Sequence, residues 1–212
     1  VRNEQQEDGV QMNEQTKAAP EIRRKGGGYL GQAWLILVLA LLFGSGLAAV
    51  QMALEPIIAR NKLSETLLQI PNLVPGSETG EQERVNGQLV FRALDADGNL
   101  MGWVLPASGQ GFADKIEMLV GLDAALETIT GIYVLDQKET PGLGNRIAEA
   151  GWRDQFRGKP TSKPLELSSA ESSIPHHVEA LTGATISSES VKDIVNGAVA
   201  SLKEALAKAS GS

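Results

Sequence analysis

The stretch Leu89-Val90-Phe91-Arg92-Ala93-Leu94, Asp95-Ala96-Asp97-Gly98-Asn99, Leu100-Met101-Gly102-Trp103-Val104-Leu105 decides the fold. Two short apolar-rich runs flank a cluster of Asp, Gly and Asn, residues that accept left-handed backbone at little cost, so it reads as strand, turn and returning strand. Ser108-Gly109-Gln110-Gly111-Phe112 follows and reads as a glycine loop. Two further strands, 115–122 and 128–136, are joined by Asp123-Ala124-Ala125-Leu126-Glu127, a connection of hairpin length. Such a meander predicts an α+β domain, a mainly antiparallel sheet with helices packed on it. Nothing in it alternates strand and helix as a doubly wound nucleotide fold does.

Downstream, Val191, Ile194, Val195, Ala198, Val199, Leu202, Ala205 and Leu206 recur at helical spacing, with Lys192, Asp193, Asn196, Lys203 and Glu204 on the other side. This predicts an amphipathic helix entered from Leu181-Thr182-Gly183-Ala184-Thr185-Ile186-Ser187-Ser188. Ser187 or Ser188 is the expected N-cap, which sets Thr185 two or three residues ahead of the helix. A helix N-terminus carries unpaired donors and partial positive charge, and so favours an anion. Gly183 and Ala184 leave the approach open to a bulky phosphorylated group. A second shaped loop, Lys138-Glu139-Thr140-Pro141-Gly142-Leu143-Gly144, comes directly after a strand. Its proline fixes φ, and its glycines admit conformations closed to other residues.

Upstream, residues 1–28 are polar, mixed in charge and nearly free of large apolar side chains, which predicts a disordered segment. Arg23-Arg24-Lys25 then precedes a span without a charged residue from Gly26 to Leu54. Its apolar heart, 33–53, would make about 32 Å of helix at ~1.5 Å per residue, against ~30 Å for a bilayer core. It is too long for the ~7–15-residue apolar region of a cleavable signal peptide. A transmembrane helix is expected over 29–54, with Tyr29 and Trp34 at the membrane interface. The basic cluster places the N-terminus in the cytoplasm and the rest outside it, which in a Gram-negative cell means an inner-membrane protein with a periplasmic domain. Residues 55–87 are expected to form a juxtamembrane helix that continues off the anchor to about Gln69, with Pro56 where a first-turn proline is tolerated and Pro71 ending it, and then a polar link over 76–87. The extracytoplasmic domain is expected to occupy 88–212.

Composition narrows the chemistry. The chain has 212 residues and a formal net charge of −7, which disfavours nucleic acid, whose phosphates need a basic face. With no cysteine there is no disulfide, thiolate zinc site or iron–sulfur ligation. The two histidines, His176 and His177, are adjacent and read as a solvated loop pair, with metal ligation or pocket lining as the alternatives, and no metal site is assigned. There is no Ser/His/Asp set and no carboxylate pair placed for acid–base work, so no catalytic residue is assigned either.

Thr182-Gly183-Ala184-Thr185, followed by Ile186-Ser187-Ser188, resembles the flavinylation motif of the FMN-binding domain family. Glu139-Thr140-Pro141-Gly142-Leu143-Gly144 resembles that family's second signature, the loop that helps form its flavin pocket. The continuation through Asn145-Arg146-Ile147, Trp152, Gln155-Phe156 and Gly158-Lys159 extends the likeness, as does Gly109-Gln110-Gly111-Phe112. Glu179 stands where the family pattern usually has Asp. With the anchor included, the chain is similar to the G subunits of Rnf-type electron-transport complexes, and next to the C subunits of sodium-pumping NADH:quinone reductases. The resemblance implies FMN joined through its phosphate to Thr185 by a flavin transferase. It implies a pocket formed by Thr182, Gly183, Ala184, Ser187 and Ser188 with Glu139, Thr140, Pro141, Gly142, Leu143 and Gly144. It further implies an electron relay in a multi-subunit ion-translocating ferredoxin:NAD oxidoreductase, held in the membrane lipid. A phosphodiester tether keeps such a carrier from diffusing away.

Overall fold

The computed structural model describes residues 28–210; the expected disordered segment and the basic cluster Arg23-Arg24-Lys25 fall within 1–28 and, Gly28 apart, lie outside the described residues. The chain divides into two compact units, Val1–Ala53 and Leu54–Ser212. In the first, α1 (Gly28–Leu73) begins. Trp34, Leu35, Ile36, Leu37, Leu41, Leu42, Phe43 and Leu47 are all exposed, so this first stretch of the helix shows apolar side chains on every side. By length and composition it is a candidate membrane span.

Anchor and juxtamembrane stretch share this one helical element, with both Pro56 and Pro71 inside it, so Pro71 does not stop the helix. Pro71 removes one hydrogen bond from the last turn. Burial of Ile70, Leu73 and Val74 holds that turn regardless. The expected link 76–87 also differs, because it contains a strand, β1 (Thr79–Val85). Only Val85 of that strand is buried. Its sequence, Thr-Gly-Glu-Gln-Glu-Arg-Val, has the charges that protect a sheet edge, and so it reads as linker. Asn86 and Gly87, with φ of 47° and 83°, turn it into β2 (Gln88–Leu94).

From β2 the meander is as expected. It runs through β3 (Leu100–Gln110), β4 (Lys115–Asp123) and β5 (Thr128–Asp136), all antiparallel, and β6 (Lys159–Pro160) closes the six-stranded order β1-β2-β3-β4-β5-β6. At the first turn, Asp95 Oδ1 accepts from Asp97 N at 3.0 Å and Asn99 N at 2.8 Å. The expected glycine loop is shorter than its sequence suggests. Ser108, Gly109 and Gln110 pair with Glu117, Ile116 and Lys115 as strand. Gly109 is needed there for clearance, since a Cβ would lie 2.6 Å from Ile194 Cγ1.

Successive residues of each central strand serve opposite faces. Trp103, Leu105, Met118, Val120, Leu122, Ile129 and Ile132 face α3 (Thr185–Ser210), which contributes Val191, Val195, Ala198 and Leu202. Phe91, Ala93, Val104 and Leu119 form a second cluster with Ile70, Leu73 and Val74. Between β5 and α3 lie α2 (Ala150–Arg153), flanked by 3-10 turns, and a parallel pair, β7 (Glu166–Ser168) and β8 (His177–Glu179). Trp152 stacks edge-on against Phe156 at 5.2 Å, and its Nε1 donates to Glu179 O at 2.8 Å.

Polar contacts reinforce the second cluster. Lys62 Nζ donates to Glu117 Oε2, and Tyr133 Oη donates to Glu65 Oε1 at 3.0 Å. The Lys62 ammonium, with Lys115 second, holds the Glu117 carboxyl below the usual carboxylate range. A depressed carboxylate adds stability that is complete above its unfolded value of about 4.3 and is lost as pH falls through the lower folded value. The melting temperature should therefore fall as pH drops below about 4.3. Glu117→Gln should melt lower than wild type at pH 7 and lose less on acidification. Thermal melts at pH 7 and in acid measure this, and parallel losses in the two proteins would contradict it.

Candidate functional site

Two loops far apart in sequence meet at the start of α3. The first leaves β5 at Asp136 and is closed on itself by Leu143 N and Asn145 N, each donating to Thr140 O at 3.2 Å. Gly142, with φ 75°, donates its N–H to Asn145 Oδ1 at 2.8 Å. The second is a turn in which Ala184 N donates to Leu181 O at 2.9 Å. Gly183 is its third residue, with φ 82°, a backbone conformation that glycine accepts without strain. A Cβ on Gly183 would lie 3.1 Å from Leu143 Cδ2, so the two loops touch at this glycine.

Helix α3 starts at Thr185. The expected serine N-cap is therefore displaced, because Ser187 and Ser188 lie inside the first turn and Thr185 is itself the first helical residue. Both serine hydroxyls are fully engaged elsewhere. Ser188 Oγ donates to Ala184 O and accepts from Leu181 N, each at 3.0 Å, which fastens the turn to the helix. Ser187 Oγ donates to Glu139 Oε2 at 2.5 Å. Glu139 is 4% exposed, and its Oε1 also accepts from Ala113 N at 3.0 Å. One carboxylate thus ties the loop after β5, the helix start and the β3–β4 loop together. Gly111 and Gly144 make room for it, since a Cβ on Gly111 would lie 2.3 Å from Glu139 Oε1, and one on Gly144 would lie 2.9 Å from Glu139 Cβ. On the outside, Lys138 Nζ reaches Asp114 Oδ2 at 3.2 Å. The Lys115 N–H, and then Lys138, hold the Asp114 carboxyl below its ordinary range.

Above Glu139 opens a cavity of about 580 Å³, lined by Phe112, Thr140, Leu143, Gly144, Gly183, Ala184, Thr185, Ile186 and Ser187. Its size lies within the ~300–1,000 Å³ of small-ligand sites. Phe112 is 61% exposed, Leu143 45% and Ile186 55%, so three large apolar side chains of the cavity that Thr185 lines are left uncovered. Thr185 is exposed, and the first-turn amides of α3 lie beside it. The structure thus gathers Thr140, Leu143, Gly144, Gly183, Ala184, Thr185 and Ser187 of the sequence-derived set at one cavity. Glu139 lies beneath it. Thr182, Pro141, Gly142 and Ser188 are outside the lining and shape its two loops. Ile186 and Phe112 are lining residues that the sequence showed only as parts of quoted motifs, without a role. A bulky apolar residue beside an exposed threonine at a helix start was the available signal.

These residues fit FMN. A hydroxyl at a helix start suits a phosphate linkage, the bare Gly183–Ala184 turn admits it, and the uncovered apolar side chains offer a face to an aromatic system. An FMN-binding domain matches residues 111–200, which span the β3–β4 loop, the loop after β5 and most of α3. The chain is 32% identical over 146 residues to the G subunit of the ion-translocating oxidoreductase complex of Methanosarcina acetivorans, with 66% of this chain and 72% of that one covered. It is 30% identical over 129 residues to the C subunit of the Na(+)-translocating NADH-quinone reductase of Vibrio alginolyticus, with 57% of this chain and 50% of that one covered. The crystal structure of the corresponding reductase C subunit from Parabacteroides distasonis shares the fold, with a TM-score of 0.51 at 20% identity over 61% of this chain and 78% of that one. The chain belongs to the FMN-binding domain family that includes the G subunits of the ion-translocating oxidoreductase complexes.

Glu139→Ala should strip the acceptor from two donors, the buried Ser187 hydroxyl and the Ala113 amide. Leaving such groups unpaired costs about 1–3 kcal/mol, or several degrees of melting temperature in a chain this size. A thermal melt against wild type checks it, and an unchanged midpoint would mean that water replaces the carboxylate.

Proposed function

We propose that this chain is the electron-transfer subunit of a membrane-bound ion-translocating ferredoxin:NAD oxidoreductase complex, carrying FMN on Thr185 through a phosphodiester bond. The observation that carries the reading is exposed Thr185 at the first residue of α3, lining a cavity with three uncovered apolar side chains. Bound FMN supplies one- and two-electron redox chemistry. The chain's own residues hold and place it. The first-turn amides of α3 offset the phosphate charge. Leu143, Ile186 and Phe112 offer apolar surface to the ring system, and Glu139 fixes the loop on which Leu143 sits. Its partners are the other subunits of the complex, a flavin transferase during maturation, and lipid around α1. The match spans 72% of the Methanosarcina G subunit against 50% of the Vibrio C subunit, which supports the ferredoxin:NAD complex over the quinone reductase. The N-terminus lies in the cytoplasm and the flavin domain on the opposite side of the cell membrane, an orientation supported by Arg23-Arg24-Lys25 before the uncharged span.

Protein made in its native host should fluoresce under ultraviolet light on a denaturing gel, and intact mass should show one FMN. Thr185→Ala should abolish both signals in a folded protein, whereas Thr182→Ala should keep part of the label. Label that survives Thr185→Ala in full would place the attachment elsewhere.

Protease added to intact spheroplasts should digest the domain beyond Glu55. Digestion only after lysis would reverse the orientation.

A further inference from the structure

Away from the cavity at Thr185, Glu166, His176 and His177 each bring one ligand atom into a cluster whose members lie within 4.8 Å of one another. The backbone arranges this meeting. β7 and β8 are parallel neighbours with Glu166 opposite His177, and Glu166 N donates to His176 O at 2.9 Å. His177 Nε2 stands 3.5 Å from Glu166 Oε2, and the His177 side chain is 18% exposed. On its other edge, His177 Nδ1 lies 3.2 Å from Ser172 Oγ. The two imidazole rings are perpendicular, with centroids 5.0 Å apart.

We propose that Glu166, His176 and His177 bind a divalent transition-metal ion of the zinc type. Two imidazoles and a carboxylate are donors that such ions take, at metal–ligand distances of ~2.0–2.2 Å. Two ligands of one tetrahedral ion at those distances stand ~3.4 Å apart, close to the separation of His177 Nε2 and Glu166 Oε2. Ser172 occupies the place of the outer partner that orients a ligating histidine. With Nδ1–H donating to Ser172 Oγ, the tautomer this site requires, the Nε2 lone pair would face Glu166 across the ion. A fourth position remains for water. The strands concerned have three residues each, and so short a pair is marginal alone. A metal ion would pin β7 to β8, and β8 runs through Ala180 and Leu181 into the turn that presents Thr185. The ion's role is to fix that approach.

The test uses tag-free full-length protein in detergent, freed of metal by chelation and titrated with ZnCl₂ by calorimetry and with CoCl₂ by visible absorption. Wild type should bind one equivalent of Zn²⁺ and melt higher with it, and Co²⁺ should develop ligand-field bands. His176→Ala and His177→Ala should each weaken binding at least tenfold and remove the melting shift. Glu166→Gln, which keeps the shape, should weaken it several-fold. Melts in chelator verify that each variant is folded. Absence of saturable binding to wild type, or undiminished binding in folded His177→Ala and Glu166→Gln proteins, would overturn the proposal. Wild type that ignores metal yet loses stability in Glu166→Gln would leave only a His177–Glu166 ion pair, and would overturn it equally.

Discussion

The candidate site depends on one buried carboxylate. Glu139 accepts from the Ser187 hydroxyl and the Ala113 amide, groups 48 and 26 residues away in sequence. A buried carboxylate is tolerated only when donors replace the water it has left. The three segments must therefore arrive together, and none can shift without leaving an unpaired polar group. Gly111 and Gly144 are the steric counterpart of this constraint, since any side chain at either position would enter the volume the carboxylate occupies. The loop glycines thus serve a polar contact as much as a turn.

The sheet is sandwiched by unlike partners. On one face α3 lays down Val191, Val195, Ala198 and Leu202 over Leu105, Met118 and Val120. On the other, Ile70 and Leu73 of the last turn of α1, with Val74 just after it, pack against Phe91, Val104 and Leu119. Lys62 on Glu117 and Glu65 under Tyr133 hold the same side through polar groups. The cavity at Thr185 belongs to the α3 side, at the helix start.

Much of this was legible in the sequence because alternation and helical spacing report burial directly. The strands from Gln88 to Asp136 and the buried stripe of α3 are apolar at the expected periods, and Asp95, Gly98 and Asn99 declared their turn. Thr185, Gly183 and the loop 139–144 were legible through a family likeness. Elsewhere the local signal opposed the tertiary outcome. β1 is polar because it is an edge, so its sequence looks like linker. Gly109 reads as a loop residue, yet it lies in a strand because α3 crosses too closely for any side chain. Pro71 looks like a terminator, but burial of its neighbours outweighs one lost hydrogen bond. Ser187 and Ser188 look like caps, and only the fold shows that Glu139 and Leu181 N claim them instead. The meeting of Glu166 with the two histidines had no local signature, since the pairing of β7 and β8 creates it.

Asn86 Nδ2 donates to Ala205 O, and Ser201 Oγ donates to Gln88 Oε1 at 2.8 Å, so the last helix closes on the first hairpin of the sheet. The order of assembly follows from this. From β1 to β5 the meander pairs each strand with its sequence neighbour across short loops, contacts whose closure costs little entropy and needs nothing from α3. The α3-facing core stays open through all of that, because the helix that covers it follows every strand in the chain. Seating Val191 to Ala205 is then a late, long-range step. The same step that closes the core also carries Thr185 from a free segment to the rim of its cavity.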